Sequence, residues 1–235
     1  MFLVLATVMK KCFRNTNFFL ECTKSWATNN VTLLKYTCGV KYRVLGAENV
    51  PEKNFVAVSK HQSTWECYFL HAFLPGYPVS VSKKEISSLP LFGFAIKNIG
   101  TIEVDREDGI GSVKSILEKS RNFIRKGRNV FMMFPQGTRV PPEATSREYP
   151  YKAGFLGVAR ANGLDILPIY LDSGKYWPRG KFTKNPGTIT VVVLPPLKYE
   201  DYRTKPKEQV LEEVEQVIEV EGRRRLEEFQ ESALG

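Results

Sequence analysis

Hydrophobic and polar positions follow two periods along this chain, and the two periods predict alternating strands and helices. Helical spacing of apolar residues predicts helices at Ser63–Leu74, from a cap at Ser112 to Gly127, and near Gly154–Asn162. Strands that alternate with such helices indicate an α/β fold, with a mixed, largely parallel sheet sandwiched by helices. Short apolar runs bounded by turn residues predict the strands at Tyr42–Leu45, Phe55–Ser59, Pro78–Ser82, Val130–Phe134, Asp165–Leu171 and Thr188–Leu194.

The two ends of the chain depart from this alternation. Residues 1–40 are predicted to form an amphipathic helical arm, in which the apolar run Phe2–Met9 is far shorter than the roughly 18–20 residues that span a bilayer. Such an arm fits a membrane interface and a place on the protein's own core equally well. Residues 41–235 are predicted to form one domain. Its end, 207–231, has a single apolar stripe among many charges and predicts a solvated helix.

The charge of the chain favours anionic partners. The net charge is +9, and residues 1–60 contribute nine basic and three acidic side chains, whereas residues 201–235 contribute six and ten. The basic residues are scattered and no nucleic-acid-binding motif is present, so a nucleic-acid partner is excluded. Four cysteines without CxxC spacing and only two histidines predict no metal site and indicate reduced thiols in a cytoplasmic protein.

One histidine and one glutamate are candidates for general base catalysis. His61 follows the predicted strand Phe55–Ser59, and Glu66 comes five residues later, about one helical turn away. A carboxylate on one ring nitrogen fixes the tautomer and leaves the other nitrogen to accept a proton. Cys67 is a rival candidate, as a nucleophile, although a buried cysteine is the favoured interpretation. His71 has no acidic residue five positions on and is interpreted as a buried structural histidine.

Three further stretches have residues that suit a ligand site. A predicted strand leads into Arg106, whose guanidinium suits phosphate oxygens or pairs with the preceding aspartate to hold a loop. After Val130–Phe134, a Pro/Gly turn places Thr138 and Arg139 at the carboxyl edge of the sheet, where α/β folds bind ligands, although a plain surface turn has the same pattern. Pro168 interrupts an apolar strand, which indicates an edge strand or a bulge.

These elements, in this order, resemble the PlsC-like glycerophospholipid acyltransferase family, which includes the 1-acylglycerol-3-phosphate acyltransferases. The resemblance covers roughly residues 50–200 and is most specific at Phe-Pro-Gln-Gly-Thr-Arg, residues 134–139. The family pattern is His-x4-Asp, in which His61 matches the catalytic base and Glu66 stands where the family usually has aspartate. Gln136 likewise replaces the usual glutamate.

The resemblance also implies roles for other residues. Pro168 is implied to lie on the acyl-donor side, and Lys84 is an adjacent rival to Lys83 in the phosphate site. The implied phosphate-binding residues are Lys83, Arg106, Gly137, Thr138, Arg139 and Lys152.

The implied activity is acyl transfer from acyl-CoA or acyl-carrier protein to the sn-2 hydroxyl of 1-acylglycerol-3-phosphate, without a cofactor. The product is phosphatidic acid. The expected partners are the acceptor lipid, the acyl donor and a membrane surface, with the protein peripheral or monotopic on the cytoplasmic face and the helical arm on the membrane. Two alternatives stay open: a glycerol-3-phosphate or other lysophospholipid acyltransferase, and a non-enzymatic basic module that binds lipid.

Overall fold

A computed structural model describes residues 16–85, 101–104 and 109–233, and these contain one seven-stranded sheet in the order β1-β7-β6-β2-β5-β3-β4. Neighbouring strands are parallel throughout, except for the antiparallel pair β6 and β7. The predicted mixed, largely parallel sheet is thus confirmed. The strands are β1 (Val40–Leu45), β2 (Phe55–Ser59), β3 (Val79–Lys83), β4 (Ile102–Val104), β5 (Val130–Met133), β6 (Asp165–Leu171) and β7 (Gly187–Val193).

One helix precedes the strands and the others lie between and after them, close to their predicted bounds. The cap predicted at Ser112 is wrong: the helix already begins at Gly109, so Ser112 lies in its first turn, where serine is also tolerated. Gly127 ends that helix as predicted, with φ of 76°. The helices are α1 (Thr16–Cys38), α2 (Trp65–Phe73), α3 (Gly109–Arg125), α4 (Gly154–Asn162), α5 (Tyr199–Tyr202), α6 (Lys207–Gln216) and α7 (Gly222–Ser232), with a π-helical turn at Val217–Glu221 and 3₁₀ turns at Ala47–Asn49 and Ser173–Lys175.

Both faces of the sheet are buried, which explains the uninterrupted apolar strands. In β2, Phe55 and Ala57 face a core formed with α1 and α2, whereas Val56 and Val58 face a second core formed with α3, α4, α6 and α7. All five residues of β2 are buried. Packing on both faces therefore fixes the position of β2, and with it the direction in which the residues after Ser59 leave the sheet.

Helix α1 packs on α2 through part of its surface only. Ala27 and Val31 are buried, and the Trp26 ring meets Tyr68 edge to face at 5.1 Å. The opposite surface exposes large apolar side chains, including Leu33 and Tyr36, of which 59% and 76% are accessible to solvent. No described helix is long and apolar enough to cross a membrane. The predicted division of the chain at residue 40 stays a prediction.

Pro168 is buried in β6, and β6 is an interior strand between β2 and β7. The prediction of an edge strand at this proline is wrong; the bulge alternative fits. The contacts of β6 with the chain around β7 shift register by one residue between the bridge Ile166–Leu197 and the pair Ile169–Val193. That irregularity accommodates a residue without an N–H.

Candidate active site

The catalytic candidates lie in the loop that joins β2 to α2. The His61 Nδ1 atom is 3.3 Å from Oε1 of Glu66, in the first turn of α2. The His61 ring stacks on Phe134 with centroids 4.1 Å apart and planes 16° from parallel. The Glu66 side chain is fully buried, whereas 16% of the His61 side chain is accessible. The ring is thus held on one face and at one nitrogen, and it still reaches solvent.

The Glu66 carboxylate accepts hydrogen bonds at both oxygens. Oε1 accepts from the backbone N–H groups of Gln62 and Ser63, and Oε2 accepts from the Ser63 hydroxyl at 2.7 Å and the Ser173 hydroxyl at 2.9 Å. Burial raises the pKa of Glu66, but the hydrogen bond and the charge interaction with His61, together with the Ser63 bonds, outweigh it and hold the pKa below its ordinary value. Glu66 is therefore ionised at neutral pH.

The ionised carboxylate decides the tautomer of His61. A carboxylate only accepts hydrogen bonds, so Nδ1 of His61 is the nitrogen that bears the proton in this contact. The Nε2 atom is then the nitrogen that can take up a proton, as a general base requires.

The segment after β5 contacts the same loop. The Val140 N–H donates to the His61 carbonyl at 2.7 Å, and the His61 N–H donates to the Gln136 side chain at 3.4 Å. The Arg139 guanidinium donates to the Thr64 hydroxyl at 3.0 Å. The structure therefore brings Arg139 beside the loop that holds His61, although 78 positions separate the two residues in the sequence.

Gly137 and Thr138 lie in the turn between these contacts. Gly137 has φ of 69°, a left-handed conformation that glycine adopts without strain, and its N–H donates to the Phe134 carbonyl at 3.0 Å. The backbone N–H of Lys152 donates to the Pro135 carbonyl at 3.0 Å, while the Lys152 side chain is exposed. Lys152 thus borders the turn through its backbone.

Two of the predicted phosphate ligands lie at or beyond the part that the structure describes. Lys83 ends β3 and pairs in register with Val104 of β4, but its side chain is not among those described. Arg106 follows Val104 by two positions and lies outside the described residues. The roles of both residues stay predictions.

One buried cluster beside the site was not predicted. The Lys60 ammonium is 1% exposed and donates to the carbonyls of Pro142 and Ala144, at 3.3 and 2.9 Å, and to Glu219 at 2.9 Å. The other Glu219 oxygen accepts from the Tyr151 hydroxyl at 3.0 Å. Burial raises the pKa of Tyr151, so this hydroxyl stays a donor. No spacing in the sequence connects Lys60 with a residue 159 positions away.

Cys67 is unsuited to the nucleophilic role. Burial, followed by the charge of Glu66, raises the pKa of the Cys67 thiol to about 12, so the reactive thiolate is scarce at neutral pH. Burial also lowers the pKa of His71, whose Nδ1 lies 2.8 Å from the Cys67 carbonyl. Among the described residues, no group of three or more His, Cys, Asp or Glu side chains is arranged to hold a metal ion.

Comparison with known proteins agrees with this geometry. The family model described as "Acyltransferase" matches residues 41–172. This range includes the loop of His61 and Glu66 and the turn of Gly137 and Arg139, and it ends one residue before Ser173. The chain belongs to the acyltransferase family. The resemblance predicted from the ordered motifs is thereby confirmed.

Several curated relatives of this acyltransferase share one name with each other. The chain is 36% identical over 178 residues to the 1-acyl-sn-glycerol-3-phosphate acyltransferase of Pseudomonas aeruginosa, covering 75% of this chain and 67% of the relative. It is 30% identical over 171 residues to the enzyme so named from Limnanthes douglasii, covering 72% of this chain and 59% of the relative. The chain thus spans about three fifths to two thirds of the length of these relatives.

A solved structure confirms the fold of the acyltransferase. The 1-acyl-sn-glycerophosphate acyltransferase PlsC from Thermotoga maritima superposes with a TM-score of 0.73, over 97% of this chain and 89% of that one. The two sequences are 22% identical, so this likeness concerns the fold alone.

Proposed function

We propose that this acyltransferase moves a fatty acyl group from a thioester donor to the sn-2 hydroxyl of 1-acylglycerol-3-phosphate, which gives phosphatidic acid. The observation that supports this most directly is the His61–Glu66 contact with the Arg139 guanidinium anchored beside it on Thr64. A base and a cation so placed suit an acceptor that has both a hydroxyl and a phosphate. The names of the relatives agree with this acceptor.

The proposed chemical step is a direct transfer without an acyl-enzyme. Nε2 of His61 takes the proton from the acceptor hydroxyl, and the oxygen attacks the thioester carbonyl as the new C–O bond forms. The C–S bond then breaks, and the imidazolium returns its proton to the leaving thiolate. Glu66 stabilises the imidazolium formed in between, because it is ionised and in contact with Nδ1. The raised pKa of Cys67 supports a route in which this cysteine takes no part.

The phosphate is proposed to lie on the Arg139 side of His61. The hydrogen bond from Arg139 goes to a neutral hydroxyl, so this partner does not neutralise the guanidinium charge. Gly137 lets the backbone of the turn approach a ligand closely. Lys83, Arg106, Thr138 and Lys152 stay proposed contributors. No cofactor is needed, and either acyl-CoA or acyl-carrier protein is a possible donor.

A peripheral or monotopic place on a membrane, on its cytoplasmic face, is part of the proposal. Helix α1 uses one surface for packing and exposes Leu33 and Tyr36 on the other, which suits an interface. Val40, two residues after α1, begins β1 and pairs with Gly187 at the start of β7. Further along β7, Val191 pairs with Leu171, the last residue of β6. Gly187 therefore lies four residues beyond the carboxyl end of β6. The end of α1 is therefore at the same edge of the sheet as His61.

The test is a thiol-release assay on the purified chain with lysophosphatidic acid and, separately, glycerol-3-phosphate, using both acyl donors. Release with lysophosphatidic acid, lowered about 10²- to 10⁴-fold by His61→Ala, is expected because general base catalysis has that magnitude. His71→Gln, the matched histidine control, should keep the activity. Near-full activity of His61→Ala would refute the mechanism. Vesicle binding without thioester consumption would favour the lipid-binding module, and a preference for glycerol-3-phosphate would favour the alternative acceptor.

A further inference from the structure

The loop between β6 and β7 combines basic and aromatic side chains. The residues between the two strands, 172–186, include four basic residues and one acidic residue, the buried Asp172, whose carboxylate lies 3.8 Å from the Lys175 ammonium. We name residues 173–186 the basic–aromatic loop. Its basic residues are Lys175, Arg179, Lys181 and Lys184, and its aromatic residues are Tyr176, Trp177 and Phe182.

Phe182 is the most exposed large apolar side chain among the described residues, at 91%. Lys184 lies beside it: its ammonium donates to the Phe182 carbonyl at 2.6 Å and lies 4.8 Å from the Phe182 ring centroid. The same ammonium lies 4.3 Å from the Trp177 ring centroid. The loop therefore presents an aromatic ring to the outside with a cation beside it.

The loop is anchored to the catalytic loop at several points. The Ser173 hydroxyl donates to Glu66, and the Gly174 N–H donates to the Gln62 side chain at 2.9 Å. The Arg179 guanidinium donates to the Arg139 carbonyl at 2.8 Å. These bonds place the loop beside the proposed phosphate site.

The loop is also continuous with the end of α1. The Gly187 N–H, directly after the loop, donates to the Gly39 carbonyl at 3.0 Å, and Gly39 directly follows α1. The start of β7, Gly187, lies four residues before Val191, which pairs with Leu171 at the end of β6. At 3.3 Å per residue this is about 13 Å. The basic–aromatic loop and the end of α1 therefore both extend beyond the carboxyl edge of the sheet where His61 lies. The exposed Tyr36 and the exposed Phe182 thus belong to neighbouring segments on one side of the molecule.

We propose that the basic–aromatic loop is a second membrane-contact surface, which binds anionic phospholipid headgroups through its basic residues while the Phe182 ring enters the interface. The proposal rests on the proposed function, since it locates the mouth of that site at the bilayer from which a lysophospholipid acceptor arrives. Each basic residue near an anionic surface adds attraction, and a ring beside it adds apolar burial.

Phe182 favours a lipid surface over an acidic protein partner such as an acyl-carrier protein. The basic residues alone would suffice to bind an acidic protein surface. The exposed phenyl ring would be placed against charged groups there, which is unfavourable for an apolar side chain. At a bilayer, the same ring reaches the boundary between headgroups and acyl chains while Lys181 and Arg179 stay among phosphates. The combination of basic side chains with a projecting ring is thus complementary to an anionic membrane.

The binding test is co-sedimentation of the purified chain with phosphatidylcholine vesicles, with and without added phosphatidylglycerol. Phe182→Ser should weaken partitioning about tenfold and Lys181→Gln about fivefold, the latter only on anionic vesicles. The matched controls are Val113→Ser, an exposed apolar residue on α3, and Lys53→Gln, an exposed lysine at the opposite edge of the sheet. Both controls should bind as the unchanged chain does. Equal binding by Phe182→Ser and the controls would overturn the proposal.

The activity test separates this proposal from the proposed function. Phe182→Ser should lose activity on acceptor embedded in vesicles and keep it on a short-chain, monomeric lysophosphatidic acid with acyl-CoA. Equal loss with the monomeric acceptor would overturn the membrane role. A loss confined to acyl-carrier-protein donors, with vesicle binding intact, would also overturn it and identify a carrier-protein surface. An unchanged chain that binds vesicles through Phe182 but transfers no acyl group would contradict the proposed function and leave the loop assignment supported.

Discussion

Two carboxylates, one buried and one only partly buried, contact the chain at and beside His61 from different elements, and their partners differ. Glu66 belongs to the helix that directly follows the loop, is wholly buried, and accepts from His61, two backbone N–H groups and two serine hydroxyls. Glu219 belongs to the π-helical turn near the end of the chain, is 17% exposed, and accepts from Lys60 and Tyr151. One carboxylate contacts the proposed base itself, and the other contacts the residue before it.

The difference separates a chemical role from a positional one. Glu66 sets the tautomer of His61, so its effect should be on the rate of proton transfer. Glu219 neutralises a buried ammonium that also fixes the carbonyls of Pro142 and Ala144, so its effect should be on how the turn with Arg139 sits against the loop. Substitutions at the two sites should therefore change different quantities.

The largest effect is expected from Glu66→Gln. The amide keeps the size of the side chain but removes the charge that, in the proposed mechanism, stabilises the imidazolium, and it can hold the ring in the wrong tautomer. We expect kcat to fall about 10²- to 10⁴-fold, with a much smaller change in KM for lysophosphatidic acid. Steady-state kinetics measures both. A change in KM alone would contradict the distinction between the two carboxylates.

Glu66→Asp is the matched control for the length of this side chain. The family pattern has aspartate at this position, but here Glu66 meets five donors that fit the longer side chain. The shorter carboxylate keeps the charge, so we expect more activity than in Glu66→Gln, within about tenfold of the unchanged chain.

The second effect, on stability, is expected from Glu219→Gln. This change leaves the Lys60 ammonium buried without its counter-charge, which typically costs about 3–5 kcal/mol. Urea unfolding measures this loss. Adding Lys60→Met should recover much of it, because the double variant removes both charges. A double variant as unstable as the sum of the single ones would show that the pair is not coupled.

A kinetic readout and a matched control complete this test. We expect the residual activity of Lys60→Met/Glu219→Gln to show a raised KM for lysophosphatidic acid with kcat less affected, since the turn with Arg139 loses its support. Glu221→Gln is the control: this nearby carboxylate pairs with Arg224 and Arg225 on the surface, so little change is expected. A fall in kcat as large as that of Glu66→Gln would assign Glu219 to the chemistry.

The two carboxylates also differ in how well the sequence predicted their contacts. The loop of His61 and Glu66 was predictable, because a strand end, a short loop and a first helical turn lie within a few residues and depend on local periodicity. The place of Arg139 at the carboxyl edge followed from the parallel sheet, whereas its contact with Thr64 in the histidine loop was not predicted. Ser173 and Glu219 were missed, since their contacts with the loop join residues 107 and 159 positions apart and no periodicity connects them. Pro168 was misplaced as a possible edge residue because strand order follows from tertiary pairing.

The third effect is a pH dependence of stability that Glu66 should show. Its pKa is below the ordinary value of 4.5 in the folded protein, so the unfolded chain takes up the proton first as the pH falls. Stability from this group is present above about pH 4.5 and is lost as the pH falls through the folded pKa, by at most about 1.4 kcal/mol per pH unit. Urea unfolding at pH 6 and pH 4 should show a smaller loss in Glu66→Gln. An identical loss in both proteins would contradict the lowered pKa.

The smallest effect is expected at Cys67, next to Glu66 in the sequence. Because burial and the Glu66 charge raise the pKa of this thiol to about 12, it is neutral at the pH of the assay and contributes no nucleophile. Cys67→Ala should keep kcat and KM within about twofold, and no acyl-protein should accumulate in the unchanged chain during turnover. A covalent acyl adduct that disappears in Cys67→Ala would reassign the chemistry. His61 and Glu66 would then activate a thiol, and the distinction between a chemical and a positional carboxylate would need a different basis.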